Sequence, residues 1–384
     1  MSQSGHIFKK GGTWFLRYRD GVIEAGQVVR KQRCKKLAPV CDRYRTEKDL
    51  QGLKDEILSP INSGKVRPES TLTVAKFGED YWLPWVRENC KPSTVAGYET
   101  VWRIYLEPYL QKITLRDFRT ADAANLFVEI HRRHKVGRST LQHCKRRLSS
   151  LFTFARNQGA LDTPNPIQGT MIPKKAEASA PTHAATPNEV MAILDLLEKA
   201  GERKARAAVG LMFFCGLRPG EARGALWENY DGKRLLVTQS VWHTHTTEPK
   251  TEEAASPVPV IETLAEILKQ LRKVDENPTS GPILRGPSGK PLNLDNLSKR
   301  VMMPLLEAAG LKWYGWYSLR RGVATTLAGL TRDGMASKGL LRHTNLATTT
   351  RHYVKDVPEN TLSAMNQLDR LFNECATGSN GRPN

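Results

Sequence analysis

Between Ile172 and Thr186 the chain reads IPKKAEASAPTHAAT, a stretch of alanine, proline and lysine without helical or strand periodicity. It stops abruptly at Thr186-Pro187-Asn188-Glu189. A threonine that can cap, a proline at the first helical position and a glutamate three residues after the cap are mutually reinforcing signals of a helix start. A seam of this kind divides the 384 residues into separate cores, as expected when domains usually run about 100–200 residues. The boundaries suggested by composition and periodicity are 1–65, 72–173, an exposed linker at 174–186, 187–375 and a disordered polar tail at 376–384.

In the first of these segments TWFLRYRDG alternates, with Trp14, Leu16 and Tyr18 on one side and Phe15, Arg17 and Arg19 on the other. That is strand periodicity, and Asp20-Gly21 reads as the hairpin turn that closes it. Further short strands are expected around Gln27–Arg30 and Arg33–Leu37, followed by a helix that begins at Thr46 and ends before Pro60. KKGG and RKQRCKK make this small sheet basic.

Residues 72–173 read as helical throughout, over FGEDYWLPWVREN, KPSTVAGYETVWRIYLEPYL, DFRTADAANLFVEIHRRH and GRSTLQHCKRRLSSLFTFARNQG. The last helix is expected to be capped by Ser139 with Gln142 three residues on. From His131 to Arg147 the chain holds seven basic residues and no acid: Arg132, Arg133, Lys135, Arg138, Lys145, Arg146 and Arg147. They share a helix with the apolar stripe Leu148, Leu151 and Phe152, which suits a helix laid against a nucleic-acid groove.

Charge points the same way. Lysine and arginine number 58 against 39 acids, for a formal net charge of +19. A surface of this sign attracts polyanions by releasing condensed counterions. Other classes drop out on pattern. No apolar run approaches the roughly 20 residues of a membrane span, and MSQSGHIFKKGG lacks the apolar segment of a secretory signal. The six cysteines are scattered, as in a reduced intracellular chain. Cys34 and Cys41 lack a second ligand pair at zinc-finger spacing, and His243 and His245, two apart in an expected strand, make a poor metal site alone. Neither a carboxylate cluster for two cations nor a phosphate-binding glycine–lysine loop is present in the sequence.

Chemistry-bearing residues gather after Thr186. GLMFFCGLRPGEARGALW is an apolar helix that breaks at Gly216-Leu217-Arg218-Pro219-Gly220 and restarts at Glu221. An arginine at such a break, beside a helix N-terminus, is placed to bind an anion, to pair with Glu221, or to do both. GLRPGEARGALW resembles the first arginine box of the tyrosine recombinases, the phage-type integrase family. EPKTEEAASPVPV resembles the family's hairpin-lysine segment and nominates Lys250. WYSLRRGVATTLA resembles the His-x-x-Arg box and nominates Arg320, with Tyr317 standing where histidine is usual. LLRHTNLATTTRHYVK resembles the final box and nominates His343 and the nucleophile Tyr353. The likeness is good from Thr186 to about Val357 and looser before it.

The pattern reads as a mainly α chain with small β-sheets, an α+β multidomain protein. By resemblance, 1–65 is similar to an arm-type DNA-binding domain, 72–173 to a core-site DNA-binding domain and 187–375 to a catalytic domain. The resemblance implies site-specific recombination, the integration or excision of a prophage or mobile element through a 3′-phosphotyrosine on Tyr353. In that reading Arg218, Arg320 and His343 hold the scissile phosphate, Glu221 supports the site and Lys250 protonates the leaving oxygen. Tyrosine at position 317 can donate a hydrogen bond but cannot act as a near-neutral base. The partners implied are double-stranded DNA attachment sites, a homo-tetramer on that DNA, and accessory DNA-bending or directionality factors. No cofactor, metal or membrane is implied, and the setting is the bacterial cytoplasm at the nucleoid. Two other readings stay open on sequence alone: a type IB topoisomerase-like enzyme, and a DNA-binding protein with a degenerate site. The amphipathic stretch PENTLSAMNQLDRLF, with Leu362, Met365, Leu368 and Phe372 on one face, is expected to link protomers rather than dock on its own domain.

Overall fold

The computed structural model describes residues 2–24, 26–64, 67–178, 182–248, 256–331, 339–340, 342 and 359–378. They form two compact units, Met1–Ala180 and Pro181–Asn384. Helices dominate both, with small antiparallel sheets, so the chain is mainly α with an α+β organisation.

The first unit opens with a three-stranded antiparallel meander, β1 (His6–Lys10), β2 (Thr13–Glu24) and β3 (Gln27–Pro39). Gly11-Gly12, both at positive φ, make the tight turn between β1 and β2. Trp14, Leu16 and Tyr18 are buried as their alternation requires, under Leu50 and Leu58. Helix α1 (Gln51–Asn62) passes through Pro60 and ends two residues later, so the proline lies in its last turn and is not its stop. Asp20-Gly21 is not the hairpin turn. β2 continues to Glu24 and pairs with one unbroken β3, from Trp14↔Ala38 to Glu24↔Gln27. Asp20 can stay inside the sheet because its buried carboxylate is met by the Arg116 guanidinium.

The helical part of this unit runs through α2 (Val74–Phe77), a wider π turn at Gly78–Trp82 and α3 (Leu83–Asn89). It continues through α4 (Pro92–Val101), α5 (Thr120–His134) and α6 (Arg138–Asn157). Trp82, Trp102, Phe127, Leu148, Leu151 and Phe152 fill its core. Helix α6 starts at Arg138 after Gly137, so Ser139 lies inside it and does not cap it. The Glu177 carbonyl accepts the Arg138 N–H at 2.8 Å, which meets the need a side-chain cap would have met. This contact, with burial of Ala176, docks part of the expected linker on the first unit's core.

The second unit starts as the sequence signals require. Glu189 Oε2 accepts the Thr186 N–H at 2.7 Å, the Thr186 hydroxyl accepts the Glu189 N–H, and Pro187 opens α7 (Pro187–Lys199). Ala185, just before, is buried and donates its N–H to the Ser318 carbonyl at 3.0 Å, so this end of the expected linker is also docked. Helix α8 (Arg203–Phe214) is buried almost all round, from Ala205 through Phe214, and is the axis about which α7, α10 (Glu262–Val274) and α13 (Trp316–Thr331) pack. Between α8 and α10 lie α9 (Pro219–Gly224) and four short strands. β4 (Arg234–Leu236) pairs with β7 (Pro257–Pro259), and β5 (Ser240–Trp242) with β6 (His245–Thr247). His243 sits in the β5–β6 turn at φ +50 and His245 in β6, so the two do not share a strand. α11 (Leu294–Leu297) leads through a π turn at Ser298–Met302 into α12 (Met303–Ala308), and α14 (Glu359–Gly378) is the last helix.

Helix α14 docks on its own unit, contrary to the expectation that its apolar face links protomers. Met365, Leu368 and Phe372 are buried in the core around α8, with the Phe372 ring 4.9 Å from that of Phe214. Thr263 of α10 donates a 2.5 Å hydrogen bond to Asp369. Leu362 alone of the expected face is exposed. No helix among the described residues is long and apolar enough to cross a membrane.

Candidate active site

The break in α8 builds the site. The helix ends at Phe214, Gly216 takes φ +57, and the buried Leu217 turns the chain back toward the core. Arg218 then precedes α9 in extended backbone, and Pro219 starts the new helix. Glu221, in the first turn, reaches back so that Oε2 accepts the Arg218 N–H at 2.9 Å and Oε1 accepts the Arg218 guanidinium at 2.7 Å. The two roles open for Arg218 on sequence alone are therefore compatible. It is paired with Glu221, and its side chain remains 37% exposed.

Helix α13 supplies the second arginine. Tyr317 and Arg320 are three residues apart and share one face. Tyr317 is exposed, whereas Arg320 is buried and donates to the Gly216 carbonyl. Its guanidinium is also 3.9 Å from Glu221 Oε2. A third arginine, Arg342, lies beside them with Nη2 2.6 Å from that same oxygen. Lys250, His343 and Tyr353 lie outside the described residues.

Three guanidinium groups thus surround one carboxylate. Burial raises the Glu221 carboxyl, but the charges of Arg342 and Arg218 outweigh it and hold the group below its ordinary range. Burial, and then repulsion from Arg218, pulls the Arg320 guanidinium down to about 9. Guanidinium groups in proteins stay protonated, so three of them beside one carboxylate leave an excess of two positive charges that an oxyanion would balance. Cys215, fully buried beside them, has its thiol pushed up to about 12, which makes it a poor nucleophile. Among the described residues no three His, Cys, Asp or Glu side chains gather as metal ligands.

The basic residues expected to meet nucleic acid divide in two. Arg132, Arg133, Lys135, Arg138 and Arg146 are exposed, Arg132 with Glu129 as an ion-pair partner at 2.7 Å. Lys145 and Arg147 are committed within the fold. Lys145 donates to the Thr170 carbonyl, and the Arg147 guanidinium lies 3.9 Å from the centre of the Tyr98 ring.

Sequence reasoning missed two arginines. Arg223 donates to the carbonyls of Leu292, Val241 and His243 at 2.8, 3.0 and 2.8 Å and so pins the β5–β6 hairpin. Arg342 directly precedes His343, and that adjacency was its only signal.

Fold and site together define a mainly α protein with three arginines gathered on one carboxylate and a basic helical unit. The phage integrase family model matches residues 184–359, and the model of the phage integrase N-terminal SAM-like domain matches 79–130. A tyrosine recombinase XerC-like protein of Caldanaerobacter subterraneus subsp. tengcongensis is 24% identical, with 97% of this chain and all of that protein covered. Tyrosine recombinase XerC of Alcanivorax borkumensis is 26% identical over 67% of this chain and 82% of its own length. In fold, the chain is similar to the Tn1549 transposon integrase in complex with transposon right end DNA. The TM-score is 0.61 at 19% identity, covering 78% of this chain and 99% of that one. It is also similar to a lambda integrase tetramer bound to a Holliday junction, with a TM-score of 0.56 at 18% identity, covering 88% and 92%. The chain belongs to the phage integrase family of tyrosine recombinases. It is a site-specific DNA recombinase, an enzyme that exchanges DNA strands.

Proposed function

We propose that Arg218 and Arg320 clamp the scissile phosphodiester of a duplex attachment site while the Tyr353 phenolate attacks phosphorus. The O–P bond to tyrosine forms, the P–O5′ bond breaks, and the leaving 5′ oxygen takes a proton from Lys250. The result is a 3′-phosphotyrosine and a free 5′-hydroxyl. Attack by a 5′-hydroxyl from another duplex reverses these steps with a new partner, so bond energy is conserved and ATP is not consumed. Negative charge grows on the non-bridging oxygens as the nucleophile arrives. Planar guanidinium donors stabilise that charge best where water is scarce, and His343 adds a donor. The observation that carries this reading is the convergence of Arg218 and Arg320 on Glu221 and Gly216, from segments about a hundred residues apart.

In this reading the exposed arginines of α5 and α6, with Lys135 between the two helices, hold the core site. The basic meander at 1–65, with the Arg17 guanidinium 4.8 Å from the Phe8 ring centre, takes a second, arm-type site. The segments 72–173 and 187–375 act as core-binding and catalytic domains, joined at 174–186, with the residues after α14 as a tail. Four copies assemble on two duplexes to integrate or excise a mobile element in the bacterial cytoplasm, aided by DNA-bending or directionality factors. The lambda integrase tetramer on a Holliday junction supports that stoichiometry by analogy of fold.

The test uses a pool of nicked duplexes of randomised sequence. A cut beside the nick releases a short fragment and traps the protein on DNA. The wild type should give a covalent band on a denaturing gel with EDTA present, and sequencing that band yields a defined substrate. Tyr353→Phe should give none. Trapping by Tyr353→Phe would reassign the nucleophile.

A further inference from the structure

Arg342 is a costly residue where it stands. Its side chain is only 2% exposed, and its backbone adopts φ +52, a left-handed conformation that disfavours residues bearing a Cβ. A purely structural arginine tends to spend its donors on carbonyls, as Arg223 does with three of them. Arg342 does otherwise. Nη2 donates to Glu221 Oε2 at 2.6 Å, while Nε and Nη1 are buried with no hydrogen-bond partner among the described residues. Burial, only partly offset by Glu221, lowers the pKa of this guanidinium. Such a placement persists only where the surroundings gain from it.

What they gain is read from the Glu221 carboxylate. Oε1 takes the Arg218 guanidinium, and Oε2 takes Arg342 together with the Arg218 backbone N–H. Arg320 is 3.9 Å from Oε2, beyond hydrogen-bond distance but the next cation in reach. From this we infer that Arg342 is a positioning residue for strand cleavage: it holds Oε2 from the buried side and so fixes the Arg218 guanidinium at the mouth of the site. Without it the carboxylate turns toward Arg320 and loosens its grip on Arg218. Arg342 itself does not touch the phosphate. The inference rests on the proposed role of Arg218 and Arg320 as phosphate ligands.

Glycine is the informative replacement, because it relieves the left-handed backbone while removing the guanidinium. With the substrate recovered from the randomised pool, Arg342→Gly should bind within about threefold of wild type and melt close to it. It should form the covalent complex on the order of a hundredfold more slowly, the penalty typical of a misplaced catalytic group. Arg342→Lys, which keeps a charge that can reach Glu221 but lacks the planar guanidinium, should recover only to about a tenth of the wild-type rate. In a Glu221→Gln background, Arg342→Gly should slow cleavage no further. A folded Arg342→Gly that cleaves at the wild-type rate overturns the inference, as does a full additional loss on top of Glu221→Gln. If Arg342→Gly does not fold, Arg342→Lys decides: slowed cleavage with unchanged DNA affinity supports the inference, and an unchanged rate overturns it. Arg218→Gln run in parallel separates the two levels. If that variant is inactive and Arg342→Gly is unaffected, only the role of Arg342 falls. If Arg218→Gln cleaves normally, the phosphate-binding reading falls with it.

Discussion

Arg320 donates from its guanidinium to the main-chain carbonyl of Gly216, so the helix that carries the second arginine is latched to the break that presents the first. The latch depends on the direction of one carbonyl, and Gly216 sets that direction with φ +57. Alanine at this position pays the left-handed penalty of about 1–2 kcal/mol. Gly216→Ala should therefore lose stability of that order in urea unfolding. It should also slow covalent-complex formation, because Arg320 loses its fixed acceptor. An unchanged cleavage rate in this variant would show that the latch is not needed for chemistry.

Glu221 is the only carboxylate facing Arg218, Arg320 and Arg342 in the described site. Replacing it with glutamine leaves buried guanidinium groups without their counter-ion, a change that typically costs about 3–5 kcal/mol. The loss should depend on pH in a set direction. The folded carboxyl titrates below its ordinary value, so its stabilising effect is complete above the unfolded value of about 4.3 and fades as pH falls through the folded one. Urea midpoints of wild type and Glu221→Gln should differ most near neutrality and converge in acid. A gap that is constant from neutral to acid pH would mean that charge is not what Glu221 contributes.

The exposed members of the basic run and the committed ones should behave differently. Arg146→Ala should weaken DNA binding across sequences and reduce the salt slope by about 1, with little change in stability. Lys145→Ala removes a donor from the Thr170 carbonyl and should cost about 1 kcal/mol of stability while leaving the slope alone. Salt titrations of binding, paired with thermal melts, separate the two. Identical behaviour of these neighbours would refute the division.

The pattern of what sequence could and could not give is itself physical. The alternation of Trp14, Leu16 and Tyr18, the cap at Thr186 and the helix break before Arg218 are local signals, and each stands where it was expected. Asp20-Gly21 carries an equally strong local signal for a turn. It is overridden by Arg116, 96 residues away, whose charge permits an aspartate inside a strand. Ser139 fails as a cap for the same kind of reason, since a carbonyl from Glu177 takes its place. The apolar face of α14 was legible, but whether it meets its own domain or another copy is not written in the periodicity. Arg342 was invisible because nothing in LLRH distinguishes a buried guanidinium from a solvated one. Its role appears only when Glu221 is brought beside it.

Tyr317 stands one helical turn before Arg320, with 54% of its surface exposed. A phenol there can donate to a phosphate oxygen. Tyr317→Phe deletes the hydroxyl and keeps the ring, so stability should move by less than about 0.5 kcal/mol. If the hydroxyl meets the charged phosphate, its loss should cost about 1.5 kcal/mol or more, which is roughly tenfold or more in the rate of covalent-complex formation. Tyr317→His should keep a donor and add a titration near pH 6.5 to the rate profile, with the faster limb on the side of the protonation state that helps. A Tyr317→Phe protein that cleaves at full speed would make this side chain a bystander, and the phosphate would then be held without any donor from position 317.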